Sequence, residues 1–380
     1  MAKVASDPTP LTGGNSGGGS GRRPLPDSGH VNGGDGAYSY TRNSYFQKFA
    51  VNVAKERIEG AIRMKLDVEK LSSRSNIMCI ADLGCAVGPN TFNSMQDILH
   101  FMQQKYSVQC PKSDKTLKFL VFFNDQPSND FNTLFTSLPR EAPYLAAGVP
   151  GSFHGRLFPE SSIHLAHCSY ALHWLSGVPE ELRDENSSAW NKGRIHYTNA
   201  PDEVVRAYAA RFAKDMEDFL CARAEEIVEG GMMMIIMPGI PNGMSYDEVA
   251  ASVMYEFMAS SLMDMADEGL ISEDEVDSFN LPIYTPSPEE MAVAVEKNGQ
   301  FSMEILELTN SAALVDGRVD IKAWVSHVRA ANEGMFTKNF AGDIIDEMFD
   351  RVTEKLFMFS KRLNSLYKDR TQLLVVLIRK

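Results

Sequence analysis

The feature that most constrains the fold is a regular alternation of short apolar runs with longer amphipathic stretches. The apolar runs predict buried strands at 76–84, 117–125, 161–170, 231–239, 301–308 and 371–380. The amphipathic stretches predict helices at 45–66, 90–106 and 202–230, the last ending in glycines that suit a helix C-terminus. Alternating strands and helices predict an α/β fold with a parallel, doubly wound sheet and helices on both faces. The last two strands are expected to pair at the end of the domain.

Two segments fall outside this alternation. Residues 240–295 and 312–365 are mostly helical in pattern and rich in Met and Phe, which predicts an α-helical cap over the strand ends. Ligands of open α/β sheets bind beyond the carboxyl ends of the strands, so the cap is expected to cover the site. Residues 1–29, with "GGNSGGGSGRRPLP", predict a disordered tail that buries too little apolar surface to fold. We therefore expect one folded domain over 30–380.

Charge and cysteine content exclude several classes of partner. The chain has 37 Lys and Arg against 50 Asp and Glu, a formal net charge of −13, and no basic block. This balance argues against nucleic acid and against anionic membranes as partners. The sequence has no apolar run long enough to span a bilayer. Its five cysteines are irregularly spaced without a CxxC pair, so we expect reduced thiols and a cytoplasmic protein.

The stretch "ADLGCAVGPN" (81–90) joins a predicted strand to a predicted helix, the context of a nucleotide-binding turn. It is neither GxGxxG nor a phosphate-binding P-loop. Gly84 and Ala86 would let a ligand approach the backbone, and Asp82 suits a cationic amino group better than a phosphate. Asp125 ends the next strand and is placed to bind ribose hydroxyls. The ligand implied is S-adenosylmethionine; the alternative is a tight turn that binds nothing.

Further motifs distinguish these alternatives. They are "SYTRNSYFQ" (39–47), "FFNDQPSNDFNTLF" (122–135), "GVPGSFHGRLFP" (148–159), "SYALHWLS" (169–176), "NKGRIHY" (191–197) and "DSFNLPIYTPSPEE" (277–290). Together they resemble the SABATH family of plant methyltransferases, which methylate small carboxylic acids and, in some branches, xanthine nitrogens. The resemblance runs from about residue 31 to the C-terminus and is greatest to the branch of loganic acid and farnesoic acid methyltransferases. It implies a Rossmann-like class I S-adenosylmethionine-dependent sheet.

The resemblance also assigns a cofactor site by position. The expected contacts are Tyr40, Ser44, Asp82, Cys85, Asn90, Asp125, Gln126, Ser152 and Phe153. Asp125 can accept hydrogen bonds from both ribose hydroxyls, and Phe153 offers a ring face to adenine. Gln126 departs from the Leu that is common in the family. Cys85 is interpreted as a small residue of the turn without thiol chemistry.

Expected substrate contacts are Gln47, Tyr170, His173, Trp174 and Tyr255. The Gln47 amide and the Trp174 indole are neutral N–H donors that can hold a carboxylate. Further residues are expected near the pocket by their alignment within the family, namely Met254, Met258, Val328 and Ala331. Met at helical spacing is also typical of an ordinary core.

The family resemblance further implies a homodimer and a metal site made of Asn191, Asp277, the carbonyl of Phe279, and Asn280. Oxygen ligands of this kind suit Mg²⁺ or Ca²⁺. A plain hydrogen-bonded turn is the alternative for these residues, because Asn and Asp readily form such turns.

The function implied is methyl transfer from S-adenosylmethionine to a small carboxylic acid of plant specialised or hormone metabolism. A carboxylate is already ionised near neutral pH, so no general base is expected. Two alternatives remain: a xanthine N-methyltransferase and a catalytically silent small-molecule-binding homologue. Asn32 bears on the choice, because several carboxyl-methylating members have Lys there and some xanthine-methylating members have Asn.

Overall fold

The computed structural model describes residues 31–310, 319–363, 365–366 and 370–380. The tail predicted over 1–29, and residues 312–318 and 364 of the predicted cap, lie outside this part. The described strands are β1 (Ile77–Leu83), β2 (Lys118–Asp125), β3 (Leu145–Pro150), β4 (Ile163–Ser169), β5 (Ile227–Pro238), β6 (Phe301–Thr309) and β7 (Gln372–Arg379).

The described helices are α1 (Tyr40–Asn43), α2 (Tyr45–Lys65), α3 (Val68–Ser72), α4 (Pro89–Gln109), α5 (Phe131–Thr136), α6 (Asp202–Glu226), α7 (Ser252–Asp267), α8 (Glu273–Asp277), α9 (Pro288–Asn298), α10 (Ile321–Phe336) and α11 (Gly342–Leu363). None of them combines the length and apolar character needed to cross a bilayer.

The strands form one seven-stranded sheet in the order β3-β2-β1-β4-β5-β7-β6. The first five strands pair in parallel, as predicted for β1, β2, β4 and β5. The predicted parallel arrangement does not extend to the last two strands, because β7 pairs antiparallel with both β5 and β6. An apolar run predicts a buried strand but not its direction.

The edge strand β3 was missed in the sequence because its residues, "LAAGVP", are small and include Gly and Pro. Such residues have low strand propensity, and the strand is only half-buried at the sheet edge. Its carboxyl end carries the "PGSF" segment to the same edge as the turn after β1. The missed strand therefore helps to place a predicted cofactor segment.

Both faces of the sheet are covered by helices. In β5, Met233, Ile235 and Met237 pack in a core with α6 and α9, whereas Met232 and Met234 pack on the opposite face with α2 and α4. This two-sided burial explains the unbroken apolar run of β5. It leaves the carboxyl ends of the parallel strands as the place for a ligand.

Helix α6 ends earlier than the sequence predicted. Ile227, just after α6, already has extended backbone angles and is the first residue of β5. Gly230 adopts a positive φ of 79°, and a Cβ at Gly231 would lie 2.9 Å from the His164 carbonyl oxygen. The glycines therefore serve an irregularity in the β4–β5 pairing rather than a helix C-terminus.

A third core joins α7, α8, α10 and α11, with Leu262, Phe336 and Phe349 at its centre. These helices correspond to the predicted cap. Helix α9 begins within the first predicted cap range but packs beside α6 and β6, with Met291 and Val295 in the sheet core. That range was therefore too long, because an amphipathic pattern does not reveal which layer a helix joins.

Candidate functional site

The turn after β1 is shaped by close packing. Gly84 has a φ of +78° and Ala86 a φ of +52°, both in the left-handed region. The backbone N–H groups of Gly84 and Cys85 donate to the Asn124 carbonyl at 2.9 Å. A Cβ at Gly84 would lie 2.3 Å from the Ala171 side chain, so only glycine fits. The turn thus lies directly against the loop that follows β4.

Asp125 lies at the carboxyl end of β2 beside this turn. Its Oδ2 accepts the Ala86 N–H and its Oδ1 the Gln126 N–H, each at 2.8 Å. Burial, with a smaller effect from the charge of Asp82, raises the pKa of Asp125 to about 6. A carboxylate has about four acceptor positions, so two remain for a pair of hydroxyl groups. The carboxylate, mostly but not fully buried, is therefore suited to a ribose diol.

Asp82 is only 3% exposed and already has partners. Its Oδ1 lies 2.7 Å from His167 Nδ1, and its Oδ2 accepts a short hydrogen bond from the Thr91 hydroxyl. The predicted contact with a cofactor ammonium stays a prediction, because a carboxylate with two partners keeps further acceptor positions. Asp82 also joins β1 to β4 and to the start of α4, beneath the turn.

The other predicted cofactor residues near the turn are mostly buried. Burial, with the charge of Asp125, raises the pKa of the Tyr40 phenol, so the phenol stays protonated. Asn90 donates from Nδ2 to the Ser44 carbonyl at 2.9 Å, which ties α4 to the segment before α2. Burial also raises the pKa of Cys85, so its thiol is protonated, as expected for a residue without thiol chemistry.

The segment after β3 presents Ser152 and Phe153. Ser152 is exposed and Phe153 is 8% exposed. Arg223 on α6 donates from Nη1 to the Phe153 carbonyl at 2.8 Å and from Nη2 to the Gly155 carbonyl at 2.9 Å. Phe153 therefore has a fixed backbone at the sheet edge that also carries Asp125.

A cavity of about 170 Å³, much larger than a single water needs, lies between the sheet edge and the cap, with the predicted cofactor residue Tyr40 in its lining. It contains every predicted substrate contact and three of the predicted pocket residues. These are Gln47, Tyr170, His173, Trp174, Tyr255, Met254, Val328 and Ala331. Met258 is not among them. It is fully buried in the core of the cap, the ordinary role of Met at helical spacing.

The loop after β4 has a constrained backbone. Tyr170 has a φ of +52°, and its hydroxyl donates to Gln372 Oε1 at 2.9 Å. Trp174 pairs as an isolated antiparallel bridge with Ile283, which precedes α9. The Tyr170 hydroxyl is therefore committed to β7, while the Tyr170 and Trp174 side chains line the cavity.

The described lining of this cavity contains no Asp, Glu, Lys or Arg. Burial lowers the pKa of His173 to about 3 and that of His327 to about 4. Burial raises the pKa of Tyr170. At neutral pH the cavity is therefore uncharged and offers hydrogen bonds only from neutral groups.

Several lining residues were not predicted from the sequence, namely Tyr246, Trp324, His327 and Asn332. Three of them lie on α10. The predicted residues Val328 and Ala331 are on the same helix, and residues three or four apart share a helix face. That spacing was the available signal for Trp324, one turn before Val328.

Asn32 lies outside the described lining of the cavity. Its Nδ2 donates to Glu333 Oε2 at 2.6 Å, and its backbone N–H donates to the Ala330 carbonyl. Asn32 therefore fastens the N-terminal segment to α10. The choice between a carboxylate and a xanthine acceptor cannot rest on this residue.

The predicted metal ligands lie close together. Asn191 Nδ2 donates to Asn280 Oδ1 at 2.7 Å, and the Gly193 N–H donates to Asp277 Oδ1 at 2.6 Å. Asn191 Oδ1 is buried and has no hydrogen-bond partner among the described residues. Phe279 packs its ring on Phe336 in the cap core. Across the described chain, no cluster of three or more His, Cys, Asp or Glu side chains could hold a metal ion.

The sheet order, the turn after β1, the carboxylate ending β2 and the capped cavity define a class I S-adenosylmethionine-dependent methyltransferase. Comparison with known proteins identifies the group within this class. Residues 26–380 match the family described as SAM dependent carboxyl methyltransferase. The chain belongs to this family, also called SABATH, and is an S-adenosylmethionine-dependent enzyme of the carboxyl-methylating type.

Individual relatives agree with this assignment. The chain is 46% identical to loganic acid O-methyltransferase of Catharanthus roseus, over 86% of this chain and 87% of the relative. It is 36% identical to caffeine synthase 1 of Camellia crassicolumna, over 85% and 89%. A solved structure of loganic acid methyltransferase with SAH superposes with a TM-score of 0.87 at 43% identity, covering 92% of this chain and 98% of that one.

Proposed function

We propose that this enzyme converts a small plant carboxylic acid, of specialised or hormone metabolism, to its methyl ester. The observation that carries the proposal is the uncharged cavity in which two neutral N–H donors, the Gln47 amide and the Trp174 indole, line the same space. Neutral donors hold a carboxylate without quenching it in a full ion pair. Loganic acid, the acid named for a relative, is one candidate within this class.

The enzyme's own residues act by binding and alignment. S-adenosylmethionine supplies a methyl group on a sulfonium, which is already an activated donor. Asp125 is proposed to hold the ribose, with Phe153 and Tyr40 as apolar surfaces beside it. Gln47 and Trp174 orient the acid, and the cap excludes water. Alignment of this kind can supply about 7–11 kcal/mol of a reaction barrier.

The alternative, methylation of a xanthine nitrogen, is disfavoured by the titratable groups of the cavity. An N–H acceptor benefits from a base that removes its proton. His173 is a weak base because burial lowers its pKa to about 3. The Tyr170 hydroxyl has a raised pKa and donates to Gln372. A carboxylate needs no such base, and the proposal accordingly names none.

The test uses purified protein, methyl-labelled S-adenosylmethionine and a mixed panel of acceptors. The panel contains iridoid, terpenoid, benzoate, cinnamate, jasmonate, indole and gibberellin acids together with xanthines. Mass spectrometry identifies the labelled product, and mild alkali separates the two chemistries. A methyl ester releases its label in alkali and supports the proposal. A label that survives alkali means N-methylation and overturns it.

We further propose that Asn191, Asp277, Asn280 and the Phe279 carbonyl form a weak Mg²⁺ or Ca²⁺ site without a part in methyl transfer. The partnerless Asn191 Oδ1 and the carboxylate of Asp277 are oxygen donors of the type that such ions prefer. Thermal unfolding with Mg²⁺ or Ca²⁺ against EDTA tests the site. We expect a small rise in the melting temperature that is absent in Asp277→Asn; equal melting in all conditions would reject it.

The proposals also include a homodimer in the cytoplasm. The family resemblance supports the dimer, and the free state of all five cysteines fits a reducing compartment. Light scattering after size-exclusion chromatography measures the oligomer, and a fluorescent fusion reports the compartment. A monomeric mass or an organellar signal would reject the respective proposal.

A further inference from the structure

His327 on α10 bridges Asn43 and Gln47 through its two ring nitrogens, at the wall of the cavity. Its Nδ1 lies 3.1 Å from the backbone carbonyl oxygen of Asn43, and its Nε2 lies 3.3 Å from Gln47 Nε2. A carbonyl oxygen only accepts hydrogen bonds, so Nδ1 must carry the proton. Burial keeps the ring neutral, which leaves a lone pair on Nε2. Nε2 therefore accepts an N–H of Gln47.

This tautomer fixes the orientation of the Gln47 amide. If the amide were rotated by a half-turn, its oxygen would face the lone pair of His327 Nε2, and the contact would become repulsive. In the orientation set by His327, one N–H of Gln47 is used and the second remains available. Gln47 Oε1 is buried and has no hydrogen-bond partner in the described structure. The contact with His327 therefore decides whether the N–H or the oxygen of the Gln47 amide meets a ligand.

The neighbours of His327 leave little freedom to the ring. It packs against Phe46 at a centroid distance of 5.1 Å, and Asn43 and Gln47 both belong to the N-terminal α1–α2 segment. The positive charge that His327 would carry if protonated also opposes protonation of the nearby His173. The ring is thus a rigid, neutral acceptor at the wall of the cavity.

We propose that His327 is a positioning residue, which holds the Gln47 amide so that its free N–H meets the carboxylate of the acid. The inference rests on the proposed carboxylate substrate and adds His327 to the residues that recognise this substrate. Without His327, the amide could present its oxygen to the carboxylate, and two negative ends would then face each other. The effect should fall on use of the acid and not on binding of the cofactor.

Four single variants and one double variant test this role in the full-length chain. His327→Gln can place an oxygen acceptor near the former Nε2, whereas His327→Asn can keep only a donor near the former Nδ1. His327→Leu removes both. Gln47→Leu, alone and combined with His327→Asn, completes a double-mutant cycle. Kinetics are measured with the acid that the wild-type enzyme esterifies, while SAH calorimetry and thermal melting monitor the cofactor site and the fold.

We expect kcat/KM for the acid to fall about tenfold in His327→Asn and His327→Leu, the size of one hydrogen bond to a charged group. The fall should be clearly smaller in His327→Gln, and His327→Asn should add nothing in the Gln47→Leu background. SAH affinity should stay unchanged. These results together support the positioning role.

A purely structural role predicts the opposite pattern. His327→Asn, which keeps the tie to Asn43, would then retain more activity than His327→Gln, and the two sites would contribute additively. Either result overturns the inference. If one His327 variant fails to fold, comparison of the other two His327 variants still distinguishes the positioning role from a purely structural role. Failure of the wild-type enzyme to form any methyl ester would reject the proposed function itself, so the two failures remain distinct.

Discussion

Arg223 and Glu226 form an ion pair in which each side chain is 1% exposed, with Nη2 and Oε2 2.7 Å apart. The pair fixes the segment after β3. Arg223 donates to the carbonyls of Phe153 and Gly155, and Glu226 Oε1 accepts the N–H groups of residues 157 and 158. A buried pair also satisfies backbone groups that would otherwise be unpaired. The end of α6 therefore builds the wall proposed for adenine.

Replacing Arg223 by Met should both destabilise the fold and weaken cofactor binding. The change leaves the Glu226 carboxylate buried without its cation, which typically costs about 3–5 kcal/mol. Urea unfolding measures the free energy of unfolding, and calorimetry with SAH measures affinity. Arg206→Met is the matched control, because the Arg206–Glu203 pair on the same helix is largely exposed and should contribute little. Unchanged SAH affinity in folded Arg223→Met would show that the segment needs no such support.

Asp125→Asn should lower affinity for SAH while the fold persists. The amide replaces one acceptor oxygen by a donor, so it cannot accept both ribose hydroxyls while also keeping the Ala86 and Gln126 bonds. Loss of one hydrogen bond to a charged group corresponds to about a tenfold larger dissociation constant for SAH. Asp114→Asn is the control, because Asp114 is exposed in the loop before β2, at the opposite end of that strand. Equal affinity of wild type and Asp125→Asn by calorimetry would refute the ribose role.

The pH dependence of SAH binding should report the same carboxylate. In the ligand-free chain the pKa of Asp125 is raised from 3.8 to about 6, and ribose hydroxyls favour its ionised form. SAH must therefore displace a proton below pH 6, and its dissociation constant should rise about tenfold per pH unit there. In the wild type, calorimetry in buffers of different ionisation enthalpy should detect proton release near pH 5.5. In Asp125→Asn this component should disappear; its persistence would assign the proton to another group.

The same shift affects stability with a defined sign. A carboxyl group whose folded pKa lies above its unfolded value takes up protons on folding. Its contribution to stability is fully present below pH 3.8 and is lost as the pH rises through about 6. With SAH bound, the stability should instead decrease as the pH falls, because SAH favours the ionised carboxylate.

Residues that could be predicted from the sequence belong to local motifs. Asp125 ends one strand and the Tyr170–Trp174 loop follows another, and the strand pattern places them at one edge of the sheet. His327 could not be predicted in this way, because its role depends on a contact with Asn43, 284 positions away. Asp82 shows the opposite limit: the pattern revealed an acid at the strand end but not its hydrogen bonds with His167 and Thr91. The direction of β7 was likewise set by pairing with distant strands.

Trp174→Phe should weaken use of the acid more than binding of the cofactor. The substitution keeps an aromatic ring in the lining of the cavity but removes the indole N–H that is proposed to hold the carboxylate. We expect KM for the acid to rise about tenfold, and SAH affinity to remain unchanged. Trp190→Phe is a matched control, because Trp190 does not line the described cavity. Equal losses for acid and SAH would remove the carboxylate-donor assignment.

Tyr255 should limit the length of the acids that fit. Its ring stacks on His196 at a centroid distance of 4.3 Å and an angle of 22°. Tyr255 lines both the substrate cavity and an outer cavity beside Lys192 and Arg194, so the stacked pair forms a partition between them. Tyr255→Ala removes most of this partition, whereas Tyr255→Phe keeps the ring and serves as control.

The measurement for Tyr255 compares kcat/KM for a short and a long acid of the same class. Tyr255→Ala should raise the ratio of long to short acid, because the two cavities then join, while Tyr255→Phe should leave the ratio near that of the wild type. Truncating the partly buried Tyr255 ring also lowers stability, so assays belong well below the melting temperature. A ratio that does not move in folded Tyr255→Ala would mean that the acid ends before it reaches this wall. Specificity would then depend on residues closer to Gln47, such as Val328 and Ala331 on α10.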